Sequence, residues 1–216
     1  DGTIILSLIL PWPDLQAAYQ KHLRRHAQTI EIKGFRKGKA PLHTVAQTVG
    51  KAHIYQDAFA ESFSAAYTQV ITQKGLKPLI TPQVKALKTD EGADWHIEVT
   101  TAQAPQFTLG DYKQYLKGKT KLESVFDALL QHIQFSVSPL LIDQAKNQAL
   151  SRLLDQVNRL GLTIDQYLTS RNITSQQLQA EYAQTAATQL KLEFILQTIA
   201  ADLKLHRLGG IGQHLG

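Results

Sequence analysis

An α+β domain followed by an all-α domain is the fold class that the sequence predicts, and three observations predict it. Runs of β character occur only in the first half of the chain, at residues 3–10, 79–87 and 95–101. Helical apolar spacing accompanies them and then continues alone beyond residue 122. Between the two parts the composition changes at Lys117-Gly118-Lys119-Thr120-Lys121, a short basic linker. The expected organisation is strand, helix, loop, helix and hairpin over 1–112, a linker over 113–121, helices over 122–205 and a tail over 206–216.

The first run, Ile4–Leu10, is interrupted by Ser7 and closed by Pro11. It is too short to cross a bilayer and no cationic segment precedes it, so it reads as a strand rather than a membrane span or signal peptide. Asp14 is the expected N-cap of a helix that places Leu15, Ala18, Tyr19 and Leu23 on one face. Gly34 to Pro41 is a loop punctuated by glycine and proline. From His53 to Lys74 the residues Ile54, Ala58, Phe59, Phe63, Ala66, Tyr67, Val70 and Ile71 keep helical spacing, with Gly75 as a left-handed terminator. The runs at 79–87 and 95–101 flank the polar turn Asp90-Glu91-Gly92-Ala93-Asp94, which makes them a hairpin.

In the second half, Leu122–Gln134 is helical in pattern. Ser138-Pro139 pairs an N-cap with proline at the first helical position and opens a helix to Leu160, stopped by Gly161. Thr163 caps a short helix containing Tyr167. Thr174, with Gln177 three residues on, forms a capping box for a long final helix to Leu203. The tail from Leu208 fits no element and reads as frayed or as a scar of truncation.

With 43% hydrophobic residues among 216, the chain is not a disordered one. Cysteine is absent, which excludes a disulfide framework, a thiol nucleophile and a thiolate zinc site. Methionine is absent too, so the expectation is that either a leader has been removed or the sequence is a fragment, truncated at both ends. The net charge of +5 is unevenly placed: from Lys21 to Lys51, eight cations face the single carboxylate of Glu31, a local +7. Such a patch on a near-neutral body points to a polyanionic partner.

Catalytic constellations are weak. His22 and His26 have the i, i+4 spacing of helical zinc ligands, but Leu23 stands where a metalloprotease has glutamate, and Arg24 and Arg25 repel a divalent cation. Gly118-Lys119-Thr120 lacks the earlier glycine of a phosphate-binding loop, since Lys113 holds that place. No nucleophile elbow surrounds a serine. The expectation is no catalytic site, no metal and no cofactor.

The loop Gly34-Phe35-Arg36-Lys37-Gly38-Lys39-Ala40-Pro41 differs from a bland surface loop. Two glycines and a proline restrict its shape and would present Phe35 outward between cations, the composition of a binding hot spot. Arg36 can grip phosphate or carboxylate through two parallel hydrogen bonds. The competing reading buries Phe35 in the core and leaves the cations merely solvated. In the helical part, Leu141, Leu150 and Leu154 fall off the Ile142–Ala145–Ala149–Leu153 face. With Phe194 they are candidates for an exposed apolar stripe, or equally for a second face packed on other helices.

Gly34-Phe35-Arg36-x-Gly38-x-x-Pro41 resembles the ribosome-docking signature of trigger factor, the family of bacterial nascent-chain chaperones. Gly50-Lys51, Gly75-Leu76-Lys77-Pro78 and Leu109-Gly110-Asp111-Tyr112 agree with it, and residues 122–203 look like the first part of that family's helical substrate-binding domain. The resemblance implies ribosome binding through Gly34, Phe35, Arg36, Lys37, Gly38, Lys39 and Pro41, against an acidic protein of the large subunit beside the exit tunnel. It further implies ATP-independent holding of nascent or unfolded chains in the cytoplasm, with Leu141, Leu150, Leu154 and Phe194 as client contacts. Family members commonly insert an FKBP-like prolyl isomerase domain where only about ten residues stand here, so no enzymatic activity is expected. A homodimer is left open, and no membrane partner is expected. Two other readings stand beside it: an RNA-binding module using the Lys21–Lys51 patch, and a periplasmic holdase of related helical architecture. The first lacks the interleaved aromatics of single-strand binders.

Overall fold

The computed structural model describes residues 1–203, and the tail assigned to 206–216 lies outside them. The element order is β1 (Thr3–Leu10), α1 (Trp12–Thr29), α2 (Leu42–Val49), α3 (Lys51–Lys74), β2 (Gln83–Lys88), β3 (Trp95–Ala102), α4 (Tyr112–Leu116), α5 (Leu122–His132), α6 (Pro139–Arg159), α7 (Ile164–Arg171) and α8 (Ser175–Asp202). This is an α+β part followed by a helical one. The chain divides into two compact units, one of Ile4–Lys77 with Thr81–Thr101, the other of Asp1–Thr3, Pro78–Ile80 and the residues from Ala102 onward.

In the first unit a three-stranded sheet runs in the order β1-β3-β2. β2 and β3 form the expected antiparallel hairpin, in register from Gln83 opposite Thr100 to Ala86 opposite Ile97, with a bulge at Leu87. Period-two alternation on β1 buries Leu6, Leu8 and Leu10 and leaves Ile5 and Ile9 exposed. The buried leucines join Ile97 and Val99 in a core against Phe59, Phe63, Tyr67 and Val70 of α3. The other side of α3 places Ile54 and Ala58 against Leu15, Tyr19, Leu23 and Ala27 of α1 and Val45 of α2. α3 thus serves two cores at once, which is why apolar residues surround it.

Four local details differ from the sequence reading. α1 begins at Trp12 with Pro11 in the cap position, so Asp14 lies in the first turn. There its charge favours the positive helix end instead of capping it. α2 is an added helix: Pro41 and Gly50 bracket eight residues that bury only Val45, too short a stretch to show a period. β2 begins at Gln83, because Pro82 cannot donate to a ladder. α4, with Asp111 accepting from the Gln114 amide, was another helix too short to see.

Among the described residues the helical unit has three apolar clusters. Ala102, Val137, Leu141 and Phe194 form one, beside the stacked pair Phe107–Phe135 at 4.0 Å between centroids. Tyr112, Leu129, Ile133 and Ile195 form the second, and Leu153, Val157 and Leu178 the third. The capping boxes expected at Thr163/Gln166 and Thr174/Gln177 are both present with reciprocal bonds. Ser138 occupies its cap position but does not cap α6. Its hydroxyl lies 2.8 Å from that of Thr3, an interaction 135 residues apart in sequence, while the Gln103 amide donates to the Gly2 carbonyl at 2.8 Å.

Candidate functional site

Helix α1 ends where the Ile30 amide donates to the His26 carbonyl at 2.9 Å, and the chain then crosses to α2. Two successive turns build the crossing. The Phe35 amide donates to Ile32 O at 3.0 Å, and the Lys39 amide to Arg36 O at 2.9 Å. Each turn carries a glycine at its third position, Gly34 with φ 91° and Gly38 with φ 78°. A type II turn requires positive φ there, where any side chain would be strained. The four-residue spacing of the two glycines is therefore the spacing of two back-to-back turns.

The base of this loop is fixed and its tip is open. Ile30, Ile32 and Ala40 pack against the α1–α2–α3 core. Pro41 enters α2 with φ −59°, and its carbonyl accepts from Val45. Between these anchors every residue from Lys33 to Lys39 is exposed, and Phe35 keeps 44% of its surface in solvent. Phe35 is therefore not a core residue. Among the described residues none of Arg36, Lys37 and Lys39 has an acidic partner. Lys21 and Lys51, at the ends of the basic segment, are instead paired with Glu61 and Glu91, each at 2.7 Å. The local +7 thus concentrates on the loop and on α1, and an exposed aromatic stands among unpaired cations. Chemically, such a tip can grip an acidic surface while its ring excludes water from the contact.

The four candidate client residues do not form one surface. Leu141 and Phe194 are buried together in the first cluster of the helical unit, so neither is offered to solvent. Leu141 lies off the Ile142–Leu153 face, as read from the sequence, but it packs within the unit against Phe194 of α8. Leu150 is half-buried against the third cluster. Leu154 is exposed at 41%. Sequence reasoning passed over Leu160 and Leu162, exposed at 74% and 42% on either side of Gly161. Their signal was available: two leucines flanking a helix-stopping glycine stand in a turn, where burial is hard to arrange.

Neither of the paired α1 histidines acts with the other. His22 Nε2 lies 2.9 Å from Glu61 Oε2 and His26 Nε2 lies 2.8 Å from Asp57 Oδ2, both across to α3. Hydrogen bonding to His26 holds the Asp57 carboxyl below its usual range, and the Lys21 ammonium does the same for Glu61. Among the described residues no helix is long and apolar enough to cross a membrane.

Comparison with known proteins gives a consistent family. The model for bacterial trigger factor protein (TF) matches residues 2–132, and the model for bacterial trigger factor protein (TF) C-terminus matches 111–206. The two matches overlap, leaving no stretch between them for an inserted isomerase domain, and no such domain is matched. The trigger factors of Staphylococcus aureus strains JH9 and Newman are each 29% identical over 154 residues, covering 71% of this chain and 36% of theirs. The chain therefore spans little more than a third of the length of these relatives. A solved chain from work on "promiscuous substrate recognition in folding and assembly activities of the trigger factor chaperone" aligns with TM-score 0.44 and 21% identity. That alignment covers 60% of this chain and 31% of the other.

Proposed function

The chain belongs to the bacterial trigger factor family, and from that premise we propose that it is an ATP-independent cytoplasmic chaperone that docks on the large ribosomal subunit and holds nascent or unfolded chains. The observation that carries this reading is the tip at Phe35, Arg36 and Lys37: solvent-exposed, without acidic partners among the described residues, and held by two glycine turns on an anchored base. Its occupant is an acidic protein surface beside the exit tunnel. The test is cosedimentation with purified large subunits over a salt series. Binding is expected at low salt and should weaken steeply as counterions screen the exposed cations. No association at any salt concentration would overturn the reading.

The helical unit supplies the client contacts, through the exposed leucines Leu154, Leu160 and Leu162 rather than through Leu141 or Phe194. The protein is expected to slow aggregation of an unfolded substrate at near-stoichiometric ratios without ATP. Changing Leu154 and Leu160 to serine should weaken that protection.

Prolyl isomerisation requires a concave apolar pocket around a twisted amide, and residues 113–121 are too few and too polar to build one. A proline-peptide assay should therefore run at the uncatalysed rate in the presence of the chain. Proline-specific acceleration that copurifies with it would place a catalytic site elsewhere in the protein.

A further inference from the structure

Between α1 and α3, within one compact unit, histidines and carboxylates line a seam that the docking function does not use. His53 stands one turn before Asp57 on α3, and positions four apart share a helix face. Across the seam His26 lies against both: its Nε2 is 2.8 Å from Asp57 Oδ2, and its ring centroid is 5.8 Å from that of His53, with the planes at 53°. One ligating atom from each of His26, His53 and Asp57 lies within 4.8 Å of the other two. We propose that these three residues form a binding site for a divalent transition-metal cation of the zinc class, clamping α1 to α3.

The donor set decides the class. Two imidazole nitrogens and one carboxylate oxygen suit a borderline cation such as Zn²⁺, whereas Mg²⁺ and Ca²⁺ demand more oxygen ligands. Zinc bonds of about 2.0–2.2 Å place tetrahedral ligand atoms roughly 3.4 Å apart. The ligand atoms already lie within 4.8 Å of one another, and His53 is exposed rather than wedged in the core. Three protein ligands leave a fourth position for water. The objection raised by Arg24 and Arg25 applied to a site on α1 alone. Here α1 contributes one ligand and α3 two, and both arginines are solvent-exposed while His26 is half-buried at the seam. Glu61, one turn beyond Asp57, is already paired with Lys21 at 2.7 Å and His22 at 2.9 Å, so it adds little uncompensated charge.

The site is tested by calorimetric titration of the 216-residue chain with Zn²⁺ alone. Because His206 and His214 lie outside the described residues and can bind metal themselves, both are changed to alanine in the background protein. Expected are saturable one-to-one binding, a rise in melting temperature with Zn²⁺, and an X-ray absorption spectrum fitted by two imidazoles and oxygen. His53→Ala removes an exposed ligand, so it should leave metal-free melting unchanged. It should weaken zinc binding by at least the ~10-fold that even outer partners of metal sites are worth. Asp57→Asn should weaken it likewise. Absence of saturable binding, undiminished binding by His53→Ala, or equal binding of Mg²⁺ would each overturn the proposal.

Discussion

Replacing Phe35, Arg36 and Lys37 together by alanine is expected to abolish measurable cosedimentation with large ribosomal subunits while leaving the fold intact. The folding half of that expectation follows from the loop's construction. Its turns depend on Gly34, Gly38 and Pro41, and its base on Ile30, Ile32 and Ala40, none of which is changed. The three tip side chains contribute nothing to either core. The binding half follows from their exposure and their lack of acidic partners among the described residues. Each hot-spot truncation costs on the order of 2 kcal/mol or more, and about 1.4 kcal/mol is tenfold in affinity. Removing three such groups therefore takes binding beyond the reach of sedimentation. A Lys21/Lys51 double alanine should bind nearly as well as the unaltered chain. Both lysines already spend their charge on Glu61 and Glu91, and outlying charges mainly alter on-rate. Equal loss in the two variants would favour diffuse RNA binding through the whole basic segment.

The second large effect is on stability. Phe194→Ala should destabilise the helical unit by about 3–5 kcal/mol, the usual cost of deleting a buried aromatic ring. Its ring sits with Leu141, Val137 and Ala102, and only 6% of the residue is exposed. For a unit of this size that corresponds to a fall in melting temperature on the order of 10–20 °C. Leu154→Ser, made on an exposed face, should cost under about 1 kcal/mol, most of it helix propensity. Thermal unfolding followed by circular dichroism separates the two. If Phe194→Ala melted like the unaltered chain, the packing of α8 on α6 would be wrong.

What could be read from the sequence was what short segments determine. Thr163 with Gln166 and Thr174 with Gln177 announce helix starts because both bonds of a capping box form within four residues. Gly75 ends α3 in the left-handed conformation, and the Asp90–Asp94 turn joins the hairpin, for equally local reasons. The exposed tip at Phe35 was legible because a large aromatic among cations and spaced glycines is a local pattern too. Burial that depends on a partner was not. Leu141 and Leu154 are both apolar residues of α6, yet one meets Phe194 and the other meets solvent. His26 reads as half of a failed pair with His22 until the fold brings α3 against it, thirty-one residues away at Asp57. The Ser138 hydroxyl is likewise diverted from its expected cap by Thr3.

That Thr3–Ser138 pairing bears on the order in which the molecule can be assembled during its own translation. All residues of the sheet-bearing unit have been made once Thr101 has been added, so the loop carrying Phe35 can take shape early. The helical unit has to wait. It recruits Asp1–Thr3 and Pro78–Ile80 as well as the chain from Ala102 onward, and its clusters need Phe194 and Ile195 of the last described helix. Joining Thr3 to Ser138 closes a loop of 135 residues, whose entropic cost must be met before the contact repays it. The helical unit therefore closes only after Phe194 and Ile195 have been made, and Asp1–Thr3 settle with it rather than with the strand they lead into.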